Sequence, residues 1–511
     1  MKRRPGIADP SPYKTWCATA VSSLLLGLSG NVAAAPNVLL IIGDDMGVET
    51  LASYGLGENP PTTAALDELA REGVRFTNVW SQPSCSPTRA TAITGRYGFR
   101  TGIGMALTDG PPVPAPDKPA WASFERPRPA GRVVAVVGPV TRPALLPEEF
   151  TLPMALKRVD DLAYATAAIG KWHLADIPVG WTEHPNRVGF DHYSGLIGGS
   201  IRTTRDSYFA WNKVVNGEVS GTTGYTPADK ADDAIRWIDE QGDNPWFLWF
   251  AFNLPHVPLH LPPAEMWQSD YSHLDPQSVP EELTGDYFSA MIEAMDTQIG
   301  RLLASLDPEV RDNTYVIFVG DNGTSGPWVA EPFRPERAKG TVYQGGINVP
   351  MIVTGPRVAR GGVSEALVNT TDLFVTIMEM GGIDPEEAIP DEVTHDSVSF
   401  FRVLSDPDAP TGREWIYADY FDGGFPGVAD GDYAMRGDRY KLLRYRGTEE
   451  FYDLESDPYE YDNLLTGELS VEEEAAYRTL REQNQELRSS EKPSLFQRRD
   501  APSDMSTPAC L

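Results

Sequence analysis

Cysteine is nearly missing from this chain: Cys17, Cys85 and Cys510 are the only 3 among 511 residues. So few thiols exclude a fold stapled by disulfides. Basic charge is also in deficit, with 43 Lys and Arg against 73 Asp and Glu and a formal net charge of −30. That balance excludes a nucleic-acid partner, because binding a phosphate backbone needs a basic surface. It also repels small anions at long range, so any anion site must be a local cationic pocket on an acidic body. Beyond the first 35 residues no run is apolar for long enough to span a membrane, and no internal repeat is present. The rest of the composition is ordinary, 41% hydrophobic and 23% charged. It suits one large core with an appendage, or two or three average domains.

The first residues carry an export pattern. Lys2, Arg3, Arg4 and Lys14 make a basic start, Trp16 to Leu28 is mostly apolar, and Ala33-Ala34-Ala35 supplies small residues for cleavage near Pro36. Residues 1–35 are therefore predicted to be a signal peptide, and the mature chain periplasmic or secreted with no stable membrane insertion. An uncleaved anchor is the competing reading, and the shortness of the run counts against it. Cleavage leaves Cys85 and Cys510; a free thiol in the tail is the default, with a Cys85–Cys510 disulfide as its competitor.

Apolar runs punctuate the chain at Pro36–Gly43, Trp246–Phe252 and Thr314–Gly320, each leading into polar residues. Such runs read as buried parallel strands. Gly73–Val79 also reads as a strand. Thr62–Glu72, Leu152–Ala168 and Tyr287–Leu306 have helical spacing. The alternation predicts an α/β fold with a large, mainly parallel sheet flanked by helices. Residues 108–147 are Pro-rich without periodicity and read as a surface insertion. After about residue 405 the pattern changes to short antiparallel strands (Tyr433–Arg436, Tyr440–Tyr445, Glu450–Leu454) and a polar helix over Val471–Arg488. The predicted domains are 36–405, carrying the α/β sheet, and 406–511, a smaller C-terminal antiparallel sheet with a helix and tail.

In parallel sheets of this kind, sites lie beyond the carboxyl ends of the strands. The residues there carry chemistry. Asp44, Asp45, Asp321 and Asn322 offer hard oxygen atoms that suit Ca²⁺ or Mg²⁺, and two adjacent aspartates need a counter-ion. Taken singly, each motif is as well explained by turn preference. Lys171 and His173 are two apart, so an extended segment points both the same way. Pro255-His256-Val257-Pro258 fixes a histidine after a very apolar run, and Lys339 precedes a Gly-rich stretch. Of 7 histidines, His173 and His256 are the candidates, His260 is in reserve, and His184, His192, His273 and His395 sit in stretches that look structural.

Cys85 opens the sequence Cys-Ser-Pro-Thr-Arg-Ala-Thr-Ala-Ile-Thr-Gly-Arg, ending at Arg96. Cys, Pro, Arg, Thr and Gly at these offsets should coincide by chance in roughly one chain of this size in ten thousand. The segment resembles the signature of the type I sulfatases, of the alkaline-phosphatase-like superfamily. Gly170-Lys171-Trp172-His173, Gly189-Phe190-Asp191, Pro255–Pro258, Gly320-Asp321-Asn322-Gly323, Lys339-Gly340, Asp438–Leu442 and Tyr452-Asp453-Leu454 resemble that family's motifs in the same order. The resemblance spans about Pro36 to Leu465. It implies that Cys85 is converted to formylglycine by a formylglycine-generating enzyme. It also implies one Ca²⁺, rather than Mg²⁺, bound by Asp44, Asp45, Asp321, Asn322 and the residue formed from Cys85. Arg89, Lys171, His173, His256 and Lys339 would then hold the sulfate and carry the chemistry.

The substrate implied is a sulfate monoester, an aryl sulfate or a sulfated carbohydrate. A phosphonate or phosphate ester hydrolase on the same scaffold is the nearest alternative, and a non-catalytic binding homologue the next. Two positions depart from the family pattern: Gln344 and Asn348 stand where Glu and Arg are frequent.

Overall fold

A computed structural model describes residues 35–107, 144–159, 162, 164–199, 207–422 and 431–490. Residues 1–34, Cys17, Cys510 and all but the last four residues of the Pro-rich stretch lie outside the described residues. The strands in chain order are β1 (Asn37–Gly43), β2 (Val74–Phe76), β3 (Val79–Trp80), β4 (Ala165–Lys171), β5 (His192–Leu196), β6 (Ala210–Val215), β7 (Glu218–Thr223) and β8 (Trp246–Ala251). They continue with β9 (Thr314–Gly320), β10 (Met351–Thr354), β11 (Gly362–Ser364), β12 (Val368–Asn369), β13 (Ile416–Tyr420), β14 (Asp432–Arg436), β15 (Tyr440–Tyr445) and β16 (Thr448–Asp453).

Ten strands form one sheet in the order β11-β2-β10-β9-β1-β8-β4-β5-β6-β7. Its centre, β9 to β5, is parallel throughout. The antiparallel pairs lie to either side, at β10 and at β6–β7. Alternate residues of β1 explain why the centre reads as an unbroken apolar run. Val38, Leu40 and Ile42 face one core; Leu39 and Ile41 face the other. Helices close both faces. Thr284–Ser305, Ala64–Glu72 and Thr226–Asp239 cover the second core, while Cys85–Thr94 and Leu373–Met380 cover the first. The expected α/β class is therefore the observed one. The smaller antiparallel sheet, β13-β14-β15-β16, carries the Val471–Ser489 helix against β14 and β15.

Two expectations need correction. The helical reading of Leu152–Ala168 holds only for Leu152–Leu156, and Ala165–Lys171 is strand β4. Its alanines favour a helix in isolation, but β4 sits between β8 and β5 and is paired along both edges, which overrides that preference. Gly170 makes the close pairing possible: at φ +116, a Cβ there would lie 1.8 Å from the Ala251 carbonyl oxygen. The single strand expected at Gly73–Val79 is two short ones. β2 joins the large sheet, and β3 pairs with β12 in a separate two-stranded sheet.

Candidate active site

Because β1, β4, β8 and β9 run in parallel, their carboxyl ends open on one edge of the sheet. Asp44 and Asp45 follow β1, Lys171 ends β4, Asn253 to His256 follow β8, and Asp321 and Asn322 follow β9. The backbone ladder extends past the strands and ties these turns together. Asp44 N donates to the Leu254 carbonyl at 3.0 Å, and Asp321 N to the Gly43 carbonyl at 2.9 Å. Asp45 takes φ +68, which turns its carboxylate out of line with that of Asp44.

Cys85 begins a ten-residue helix, Cys85–Thr94, that is buried along its whole length. Pro87 falls in its first turn, where a missing N–H costs nothing, and Gly95 at φ +67 closes the end. The thiol thus lies at a helix N-terminus, where the dipole favours negative charge. Cys85 Sγ and one oxygen each of Asp44 and Asp321 lie within 4.8 Å of one another. Asp44, Asp45 and His256 form a second group within the same limit.

Two buried cations and one half-buried one answer the three carboxylates. Lys171 Nζ donates to both oxygens of Asp44, at 2.8 and 2.7 Å. Lys339 Nζ donates to Asp45 Oδ1, and Ser325 Oγ donates to Asp45 Oδ2 at 3.0 Å. Arg89 donates through Nη2 to Asp321 Oδ2 at 2.8 Å and through Nη1 to the Lys171 carbonyl at 2.8 Å. Burial disfavours charge on Lys171 most strongly, but Asp44, Cys85 and Asp321 together outweigh it and the pKa rises. Lys339 is likewise raised, burial being outweighed by Asp45 with Cys85, Asp44 and Asp321. Burial raises Asp45, yet Lys339, His256 and Lys171 together hold it well below the usual carboxylate range. Lys171, Lys339 and Asp45 are thereby held in their charged forms, whereas burial raises Asp44 and Asp321.

The two histidines differ. His173 Nε2 lies 2.9 Å from the Leu107 carbonyl, which can only accept, so the hydrogen is on Nε2. Its Nδ1 then faces Cys85 Sγ at 3.1 Å as an acceptor. Lys171 and His173 both reach the site, but not by alternation along an extended segment: His173 has φ +59, and Gly199 closes on its ring, where a Cβ would be 2.1 Å from Cε1. His256 is half-buried with Nδ1 2.8 Å from the Val257 carbonyl, which leaves Nε2 as its acceptor. Burial, with Lys171 and Lys339, brings its pKa down to about 3 despite Asp45.

The donor set fits a hard divalent cation. Asn322 Nδ2 donates to Asp45 Oδ1 at 2.9 Å, and Asn322 Oδ1 is buried with no hydrogen-bond partner. An orphaned carbonyl oxygen beside three carboxylates offers a ligand atom of the kind calcium takes. The structure therefore brings together Asp44, Asp45, Cys85, Arg89, Lys171, His173, His256, Asp321, Asn322 and Lys339. Ser325 was not anticipated, since a serine after a glycine-rich turn carries no distinctive signal. His184, read as structural, packs its ring against Trp172.

Comparison with known proteins bears on this geometry. The Sulfatase family model matches residues 36–383, and the model described as N-sulphoglucosamine sulphohydrolase, C-terminal, matches residues 338–490. N-acetylgalactosamine-6-sulfatase of Sus scrofa is 29% identical over 399 residues, covering 71% of this chain. The match spans 66% of the pig protein, just under two thirds of its length. The ulvan-active sulfatase of Formosa agariphila is 28% identical, covering 84% of this chain and 77% of that protein. The crystal structure of PsFucS1 sulfatase from Pseudoalteromonas sp. superposes with a TM-score of 0.65 at 22% identity, covering 89% of this chain and 91% of that one, a likeness of fold. With a family model matched over residues 36–383 of 511, this chain belongs to the sulfatase family.

Proposed function

We propose that this chain hydrolyses sulfate monoesters of aryl or carbohydrate alcohols, using a formylglycine made from Cys85. The observation that carries the reading is the placement of Cys85: its Sγ shares a 4.8 Å cluster with Asp44 and Asp321, beside the cations Arg89, Lys171 and Lys339 on a chain of net charge −30. Asp44, Asp45, Asp321, Asn322 and the position-85 side chain would hold Ca²⁺, which supplies positive charge to polarise the nucleophile and the sulfuryl oxygens. The hydrate of formylglycine supplies two hydroxyls, one to attack sulfur and one whose deprotonation releases sulfate. A thiol lacks the second hydroxyl.

The chain's own residues do the rest. Lys171 and Lys339 present fixed ammonium charge to the sulfuryl oxygens, with no reorganisation at the moment of reaction. Arg89 orients Asp321 through its guanidinium and adds its charge to the same centre. His173 Nδ1 is 3.1 Å from the position-85 side chain and takes the proton that frees the product. His256 is neutral before substrate binds. An anionic ester adds to the pull of Asp45, raises the imidazole, and lets Nε2 deliver a proton to the departing oxygen.

Cys85 is only 2% exposed, so the formylglycine-generating enzyme must meet it before its helix is packed. Residues 1–35 are read as the export signal, which places the mature chain in the periplasm or outside the cell. Among the described residues no helix is long and apolar enough to cross a membrane.

Two measurements on purified protein test the function. A panel of sulfate monoesters, phosphate monoesters and phosphate diesters should show turnover dominated by the sulfates. The peptide carrying position 85 should be about 18 Da lighter than its cysteine form, the difference between a thiol and an aldehyde side chain. Preference for phosphate esters would move the chain to the alternative hydrolase class. An unmodified thiol in fully active protein would refute the mechanism.

A further inference from the structure

The segment that carries His256 is gripped by two buried residues that have no place in the chemistry above. Tyr208 is 2% exposed, and its phenol oxygen lies 2.6 Å from the Asn253 carbonyl and 2.7 Å from the His256 carbonyl. One hydroxyl proton is thus shared by two carbonyls that bracket Leu254 and Pro255. The ring of Tyr208 stacks on His260, with centroids 4.1 Å apart and planes at 25°. Its backbone is held in turn, the Tyr208 carbonyl accepting from Thr226 N at 2.7 Å and Thr226 Oγ1 at 2.9 Å.

Lys230 grips the same segment from the helix Thr226–Asp239. It is 1% exposed, and its Nζ donates to Asn253 Oδ1 and lies 5.5 Å from the centre of the Trp211 ring. No carboxylate is among these partners, and burial brings its pKa down to about 7. It therefore acts as a hydrogen-bond donor in either protonation state. The opposite side of the segment is pinned to the sheet, where Phe252 N donates to the Ile42 carbonyl and Asp44 N to the Leu254 carbonyl, both at 3.0 Å. From Phe252 to His256 the segment is held on one side by the β1 end and on the other by Tyr208, through two backbone carbonyls, and by Lys230, through the Asn253 side chain.

We propose that Tyr208 and Lys230 are positioning residues that set the imidazole of His256 against the leaving oxygen. The proposal rests on the acid role given to His256 above. A donor removed from a buried carbonyl lets the turn relax, and a displacement of about 1 Å is enough to cost on the order of 100-fold in a step that depends on alignment. The effect should fall on the proton delivery His256 makes and not on the sulfate-binding cations.

The test compares Tyr208→Phe and Lys230→Met, both near-isosteric, with Tyr225→Phe as control. Tyr225 belongs to the same aromatic group but donates to His260 Nε2 at 3.0 Å instead of to the His256 segment. For an alkyl sulfate, kcat should fall about tenfold or more in the first two variants; for a nitrophenyl sulfate, whose leaving group needs no proton, it should fall less than about twofold. The His256 ring Cε1–H resonance, assigned by its loss in His256→Ala, should shift in both variants and keep its position in the control. An unshifted resonance in both variants overturns the clamp. So do equal losses for the two esters when His256→Ala itself discriminates between them. If His256→Ala shows no discrimination, the acid role fails instead, and the clamp is judged on the resonance alone.

Discussion

Two buried lysine–carboxylate pairs in this molecule meet opposite fates. At the end of β4, Lys171 is paired with Asp44; burial is the largest single influence on it, but Asp44, Cys85 and Asp321 together outweigh it, so its pKa rises. On β15 of the small sheet, Lys441 is paired with Glu460 at 2.5 Å, donates to the Val342 carbonyl at 2.8 Å and lies over the Trp80 ring at 4.7 Å. Yet burial there pulls Lys441 down to about 8. The difference is the number of carboxylates. Lys171 feels Asp44 and Asp321, with Cys85 beside them, whereas Glu460 is the one carboxylate that supports Lys441. A crowd of like charges at strand ends destabilises the fold locally, but it favours the charged form of the ammonium groups beside it. That is what a site needs if it must neutralise an anion. The pair in the small sheet has a different task. Glu460 Oε2 accepts from Gln344 N at 2.6 Å, and Trp80 Nε1 donates to Gln344 Oε1 at 2.8 Å, so the pair joins the small sheet to the stretch after Lys339. Gln344, one of the two departures from the family pattern, thus meets Glu460 through its backbone and Trp80 through its side chain.

Cys85→Ala should give the largest effect and break the comparison from the catalytic side. Turnover of every sulfate ester should fall by at least about 10⁴-fold, as when a nucleophile is removed. Thermal unfolding should change little, since one buried sulfur is lost from a helix otherwise intact. Sulfate release that survives the substitution would remove position 85 from the chemistry. A large drop in melting temperature would mean that the site's residues carry the fold as well.

Lys441→Met breaks the comparison from the other side. Removing one member of a buried pair leaves an uncompensated charge, and the loss of stability should be about 3–5 kcal/mol, read as a lowered melting temperature. The double variant Lys441→Met/Glu460→Gln should recover most of it, because replacing both partners leaves no bare charge. Activity per folded molecule should stay within about threefold of the parent, given that neither residue touches the carboxylate cluster. A double variant no more stable than the single one would show that the pair is not the source of the loss.

The same contrast explains how much could be read from the sequence. Strands β1, β8 and β9 announce themselves because burial on both faces requires an unbroken apolar run. The carboxylates and His256 were legible because each directly follows such a run or a short turn after it. Strand β4 was not, because Ala-Thr-Ala-Ala fits a helix as well and only its neighbours decide. The short strands β10 to β13 leave no period to detect. Tyr208 and Lys230 were silent for another reason: a lysine on a polar helix reads as solvent-facing, and its partner Asn253 lies 23 residues away.

His184 sharpens the comparison with the smallest effect. Its ring is buried behind Trp172, the residue between Lys171 and His173; Nδ1 accepts from Trp172 Nε1 at 3.0 Å and Nε2 donates to the Leu145 carbonyl at 2.7 Å. Burial lowers its pKa from 6.5 to about 4. The folded state thus holds this proton less tightly than the unfolded chain. Its contribution to stability is complete above about pH 6.5, declines as pH falls toward 4, and is constant below that, at about 1.4 kcal/mol per unit and so about 3 kcal/mol at most. His184→Gln has no proton to gain, so the difference in melting temperature between the two proteins should narrow as pH falls from 7.5 to 4. A difference that stays constant over that range would mean the imidazole is not buried as neutral, and that Trp172 is not held by it.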